Sequence, residues 1–161
     1  TTDVCHAVST ATRTVCSGEI IQSHQQGNLQ LGQTEYLDTL RMKTGELFAL
    51  ACELGGSLAG AEPRETRALR EYGMALGTAY QVYDDCLDLF GSEAEAGKSL
   101  GTDIASGKAT LPVILLCEQA GPEIATQLGQ MIGRRDAGQL NILRGWLSEF
   151  NTLEQDRKRS V

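Results

Sequence analysis

A chain of 161 residues with a formal net charge of −7 and no basic stripe is excluded from nucleic acid and anionic lipid surfaces as partners, although single lysines can still hold a phosphate. Hydrophobic residues make up 41% and aromatic ones 5%, enough for one core and one helical domain over residues 1–161. No apolar run can span a bilayer, so stable membrane insertion is not expected, and five cysteines without CxxC or zinc-type spacing read as buried, reduced thiols of a cytoplasmic protein.

Periodicity is helical along the chain, with almost no strand alternation. In a first helix from Val4, Val8, Ala11, Val15 and Gly18 form one stripe, and its next step meets Glu19 and Gln22, polar where apolar residues are expected. That break fits either a lined cavity or a buried hydrogen-bonded pair. His6 and His24 carry no catalytic signal and read as surface residues. A second helix is expected from an N-cap at Thr34 to the Gly55-Gly56 pair, with Tyr36, Leu40, Leu47, Leu50 and Leu54 as its stripe. Lys43, followed by Thr44, intrudes on that stripe. It is either a lysine snorkelling to water or an ammonium that meets an anionic ligand.

The third helix begins near Pro63 and passes Arg70, Leu76 and Gln81 before a stop at Gly91. Its last turns carry Asp84, Asp85 and Asp88, which helical spacing places within a turn of one another with Gln81 on the same flank, so that three carboxylates converge. Convergent hard oxygens suit Mg²⁺, which takes one or two carboxylates and fills its shell with water and phosphate oxygens. The competing reading is a solvated acidic face, opposite an apolar stripe of Leu69, Tyr72, Leu76, Tyr83, Leu87 and Phe90.

Downstream, Lys98 and Lys108 each follow a glycine, with Asp103 between them. Glycine lets backbone approach a phosphate closely and lysine supplies a mobile point charge, so the segment can fold over an anion; a flexible loop with solvated lysines is the alternative. A fourth helix is expected after Lys108, with Leu111 to Cys117 buried and Pro112 in its first turn. A fifth spans about Gly138 to Phe150, with Leu140, Leu143, Trp146, Leu147 and Phe150 on its apolar side.

The strings YQVYDDCLDLFG and GKSLGTDIASGKATLPVI resemble the second aspartate-rich motif and following lysine segment of the all-trans polyprenyl diphosphate synthases, the head-to-tail isoprenyl transferases. GEIIQ at Gly18–Gln22 and YLDTLRMKTGELFALACELG at Tyr36–Gly55 are similar to that family's GExxQ and Lys-Thr helices. The resemblance runs from about Ser17 to Leu116. It implies an all-α fold, the C-terminal part of the isoprenoid synthase helical bundle, built from several long antiparallel helices. The first aspartate-rich motif, its arginine pair and the isopentenyl diphosphate anchors do not match anything here. With a start at Thr1-Thr2-Asp3 and a final Asp156-Arg157-Lys158-Arg159, the chain reads as a partial fold lacking its N-terminal helices.

The resemblance implies a Mg²⁺-dependent prenyltransferase that condenses isopentenyl diphosphate with an allylic prenyl diphosphate, as a homodimer, with the isolated chain inactive. Carried over residue by residue, Asp84 is the direct metal ligand, Asp85 and Asp88 act directly or through metal-bound water, and Asp103 orients such water. Lys43, Lys98, Lys108 and Gln22 are assigned to substrate, and Thr44 and Gln81 to the developing cation. Two other readings are a non-catalytic or regulatory subunit of a heteromeric prenyl synthase and a class I terpene cyclase. The Lys98, Asp103 and Lys108 pattern argues against the cyclase.

Overall fold

Helix follows helix along the chain: α1 (Thr2–His24), α2 (Gln33–Leu40), a π-helical turn (Arg41–Gly45), α3 (Glu46–Leu58), α4 (Pro63–Phe90), α5 (Thr102–Ser106), α6 (Leu111–Arg134) and α7 (Leu140–Glu149). The computed structural model describes residues 2–91, 100–134 and 139–150, and among these there is no strand. Lys98, Gly138 and the Asp156–Arg159 run lie outside the described residues. The chain divides into two compact units, Thr1–His24 with Leu37–Val82, and Gln25–Tyr36 with Tyr83–Val161.

In the first unit, α1 packs on the π-helical turn and on α3. Small residues allow the approach: Ala11 and Ala49 are buried, and a methyl group on Gly18 would lie 2.8 Å from the Lys43 backbone nitrogen. Gly73 faces the Phe48 carbonyl and Gly77 faces the Phe48 ring in the same way. Arg70 ties the unit together, its guanidinium donating to Glu46 at 2.7 Å and to Glu53 at 2.8 Å.

The single helix expected from Thr34 to Gly55-Gly56 is corrected in three places. It starts at Gln33, one residue before the expected cap; Tyr36 donates its N–H to the Gly32 carbonyl, so Gly32 holds the capping position. It runs on to Leu58, because Gly56 is packed against the Leu69 side chain instead of turning the chain. Between the two α-helices, the Glu46 N–H reaches the Arg41 carbonyl five residues back, the signature of a π turn. The extra residue rotates everything after it, so Ala49 and Leu50 turn inward while Leu47 is 50% exposed.

α4 begins at Pro63, as its fixed φ favours, and ends at Phe90. Its expected apolar stripe is not its buried side: Tyr72 is 62% exposed and Tyr83 67%, and Leu69, Leu76 and Phe90 are exposed too. The buried positions are Gly73, Gly77, Asp85, Asp88 and Leu89. Acids and glycines thus occupy the face that periodicity had assigned to solvent.

The second unit has an aliphatic core in which Leu89, Ile104, Val113, Leu116, Leu128, Met131, Ile132, Leu143 and Leu147 come together, supplied by α4, α5, α6 and α7. α6 begins at Leu111 with Pro112 in its first turn, and Pro112 to Leu116 are buried, as the sequence suggests. Leu111 and Cys117 are half-buried. The helix kinks at Gly121 (φ 78°) ahead of Pro122. On α7, Leu143 and Leu147 face the core, and Arg144 donates to the carbonyls of Leu89 and Gly91 at 2.6 and 3.1 Å, closing the C-terminal end of α4. The cysteines are all free, but the expectation that they are buried fails: Cys5 and Cys16 are exposed and the other three half-buried.

Candidate functional site

Two clusters carry the residues singled out from the sequence, one in each unit. In the first unit the π turn presents Lys43 and Thr44. The Lys43 ammonium donates to Gln22 Oε1 at 2.6 Å and pairs with Glu19 Oε2 at 2.8 Å, so the polar break in α1 answers the charged break in the second helix. Thr44 donates its hydroxyl to Gln81 Oε1 at 3.0 Å. Glu19, noted in the sequence only as part of the break, is therefore a partner of Lys43.

The second unit holds the acids. Asp88, 1% exposed, folds its carboxylate over the start of α5: Oδ1 accepts from the Thr102 hydroxyl at 2.9 Å and its N–H at 3.3 Å, and Oδ2 accepts from the Asp103 N–H at 3.0 Å. Its main-chain carbonyl accepts from the Gly101 N–H at 3.0 Å. Gly101 (φ 73°) and Gly107 (φ 83°) bracket α5 in left-handed conformations that a side chain resists, which is how so short a helix enters and leaves so sharply. No periodicity announces α5, because five residues are too few to show one.

Asp85, with a fully buried side chain, accepts from the Tyr36 hydroxyl at 2.8 Å through Oδ2 and from the Lys108 ammonium at 2.6 Å through Oδ1. Lys108 also reaches Asp103 Oδ2 at 3.3 Å. A buried carboxylate is costly unless paired and hydrogen-bonded, and this one is both. Burial alone would lower the Lys108 amine, but the carboxylates of Asp85 and Asp103 outweigh it and hold it above its ordinary value. Burial first, and then the Asp85 carboxylate, push the Tyr36 phenol far above its usual range. Asp103 is raised as well, by burial and by the charges of Asp85 and Asp88, against the pull of Lys108.

Asp84 is half-buried on the same turn. The spacing of Asp84, Asp85 and Asp88 suggests convergence on one metal ion. Asp85 and Asp88 are drawn to separate donors, and among the described residues no three His, Cys, Asp or Glu side chains form a metal-holding group. The donor set still fits a hard divalent cation bound by one or two carboxylates, with water and phosphate oxygens completing its shell. Tyr36, read from the sequence only as an apolar stripe residue, is the site residue that was missed. Its signal is that a buried tyrosine needs a partner for its hydroxyl.

Fold and site together define an all-α protein with a buried carboxylate–lysine network beside a short helix bracketed by two glycines. The sequence profile of the family described as polyprenyl synthetase matches residues 1–145, and the chain belongs to that family. It is 34% identical over 160 residues to the octaprenyl diphosphate synthase of Escherichia coli, covering 98% of this chain and 49% of that protein. It is 37% identical over 114 residues to heptaprenyl diphosphate synthase component 2 of Bacillus subtilis, covering 71% of this chain and 32% of that one. The crystal structure of a polyprenyl synthase from Caulobacter crescentus, complexed with calcium and isoprenyl diphosphate, superposes with a TM-score of 0.88 at 35% identity, over 96% of this chain and 48% of that one. These matches establish the isoprenoid synthase helical fold. The chain spans less than half the length of the curated relatives it matches, 38% of one and 49% of another. No helix among the described residues is long and apolar enough to cross a membrane.

Proposed function

We propose that this chain supplies part of a Mg²⁺-dependent prenyltransferase that condenses isopentenyl diphosphate with an allylic diphosphate to make an all-trans polyprenyl diphosphate. The observation that carries the reading is the likeness, across nearly the whole chain, to the Caulobacter crescentus synthase that binds calcium and isoprenyl diphosphate. The carboxylate–lysine network supports it chemically. Ionising an allylic diphosphate leaves negative charge on the departing group, and an ammonium about 4 Å from a unit charge contributes roughly 4 kcal/mol at an effective dielectric of 20.

Mg²⁺, when bound, would neutralise the diphosphate. In this reading Asp84 is its direct ligand, Asp103 orients a water of its shell, and Asp85 and Asp88 shape the surrounding field. Lys108 and Lys98 meet the allylic diphosphate. The first unit's assignments rest on the family resemblance: Lys43 and Gln22 for substrate, Thr44 and Gln81 for the developing cation. We extend the reading to a cytoplasmic homodimer, which light scattering tests directly.

The deciding experiment incubates the full-length protein carrying this chain with Mg²⁺, an allylic diphosphate and isopentenyl diphosphate. Elongated product is expected, and Asp84→Ala should remove most of the rate; an Asp84→Ala protein as fast as the unmodified one ends the metal assignment. The similarity to component 2 of the Bacillus subtilis synthase favours a second reading, in which the chain acts beside a different subunit. Product formed by the purified protein alone would exclude it.

A further inference from the structure

We propose that Tyr36 is a positioning residue of the diphosphate site: its buried hydroxyl fixes the Asp85 carboxylate so that the opposite oxygen aims the Lys108 ammonium. The inference rests on the proposed reading of Lys108 as a diphosphate-binding amine and deepens it. Tyr36 lies at the middle of α2, 2% exposed, and reaches Asp85 from outside the helix that carries the acids. Its hydroxyl bond to Asp85 Oδ2 measures 2.8 Å, and the Lys108 bond to Oδ1 measures 2.6 Å, so the two donors grip the two oxygens of one carboxylate.

A carboxylate held by one donor can still rotate about its terminal torsion, which is a broad well. Held by both, it presents Oδ1 in a fixed direction. Lys108 needs that fixing, because a lysine has a flexible four-carbon stem and no geometric preference of its own. Its second contact, to Asp103 at 3.3 Å, is longer and sets its direction less firmly. Asp85 is thereby an anchor for a cation belonging to the protein. This also accounts for the full burial of its side chain, which an oxygen serving bound metal would not need.

The experiment compares the unmodified full-length protein with Tyr36→Phe, Asp85→Asn and the double variant. The rate of acylation at each lysine is mapped by mass spectrometry, with Lys43 as internal reference, and Mg²⁺-dependent binding of inorganic pyrophosphate is followed by calorimetry. Removing one hydrogen bond to a charged group should raise Lys108 reactivity and weaken pyrophosphate binding by about tenfold each, without changing Lys43. The double variant should go little further than Asp85→Asn alone, since both substitutions break one linkage.

Lys108 reactivity within twofold of the unmodified protein in Tyr36→Phe, or effects that simply multiply in the double variant, would overturn the proposal. If Tyr36→Phe does not fold, the unmodified protein labelled with ¹³Cζ-tyrosine supplies the answer. A slowly exchanging Tyr36 hydroxyl that is lost in Asp85→Asn supports the linkage, and a freely exchanging one overturns it. Failure of the unmodified protein to bind pyrophosphate would instead count against the proposed function, while Lys108 reactivity still decides the role of Tyr36.

Discussion

Replacing Asp88 by alanine should detach α5 from α4. The carboxylate accepts three hydrogen bonds from the first residues of α5, at 2.9, 3.0 and 3.3 Å, while the Gly101 bond to the Asp88 main-chain carbonyl survives the substitution. Losing a helix cap costs about 1 kcal/mol, and the part-buried Thr102 and Asp103 donors left without an acceptor add about 1 kcal/mol more, for a total of about 2 kcal/mol. For a domain of this size each kcal/mol lowers Tm by about 2–4 °C, so a fall of about 4–8 °C is expected. Thermal unfolding followed by circular dichroism measures it, and amide exchange at Thr102 and Asp103 should accelerate in parallel. Asp88→Asn should lose about half as much, because its one amide oxygen still accepts while its NH₂ group faces a donor. A metal-binding role makes a different forecast, since the loss would then depend on the ion. Capping predicts the same Tm difference in Mg²⁺ and in EDTA. An Asp88→Ala protein as stable as its parent, or a loss seen only with Mg²⁺ present, would refute the capping role.

Gly18→Ala should destabilise the first unit by about 1–3 kcal/mol, because the new methyl group would lie 2.8 Å from the Lys43 backbone nitrogen and 2.9 Å from Met42 Cβ; an unchanged urea midpoint would show that α1 yields freely. Lys108→Met should cost about 3 kcal/mol by leaving the buried Asp85 carboxylate without its ammonium. The raised Lys108 amine places the sign: its contribution is fully present below the ordinary value of 10.5 and is lost only as pH climbs through the higher folded value. The penalty in urea titrations should therefore be constant from neutral pH to the mildly alkaline range, and a penalty that changes across that range would contradict the pairing. Burial and then Glu118 raise the Cys117 thiol, so at mildly alkaline pH it carries less thiolate than an ordinary cysteine. Alkylation should reach the exposed Cys5 and Cys16 well before Cys117, and the reverse order by mass spectrometry would contradict that placement.

Helix positions were legible wherever a long period and a terminating residue coincided. Pro63 opens α4 and Pro112 sits in the first turn of α6, because a fixed φ and a missing N–H are features of the residue itself. The π turn was hidden for the opposite reason. Arg41–Gly45 has ordinary helical composition, and the extra residue is absorbed through a bond from Glu46 to Arg41 that no local pattern announces. Lys43 was nevertheless conspicuous as a charge on an apolar stripe, and the partners that explain it, Glu19 and Gln22, were conspicuous as a matching break in α1. Side-chain direction on α4 was the least legible property. Tyr72, Tyr83 and Leu76 look like core residues by hydrophobicity, yet the close approach of Phe48 requires glycine at 73 and 77, and that fixes which side of the helix turns inward.

The acidic run shows why spacing alone could not distinguish a metal cluster from a solvated face. Successive helical residues are rotated by about 100°, so Asp84 and Asp88 differ by about 40° while Asp85 stands about 60° from Asp88 and 100° from Asp84. A single helix therefore brings the three carboxylates near each other without deciding where any of them points. The decision comes from other segments: Tyr36 and Lys108 at Asp85, and Thr102 with the Asp103 N–H at Asp88. Each donor ties a carboxylate to the segment that carries the donor. A DDxxD spacing followed by a lysine segment thus has a third reading besides the two that spacing suggests, in which the later acids of the motif hold that segment in place, Asp85 through the Lys108 ammonium and Asp88 through the start of α5. Substitutions at Asp85 and Asp88 should then act through the placement of Lys108 and α5, leaving Asp84 as the motif position whose loss is expected to be read directly in the metal dependence.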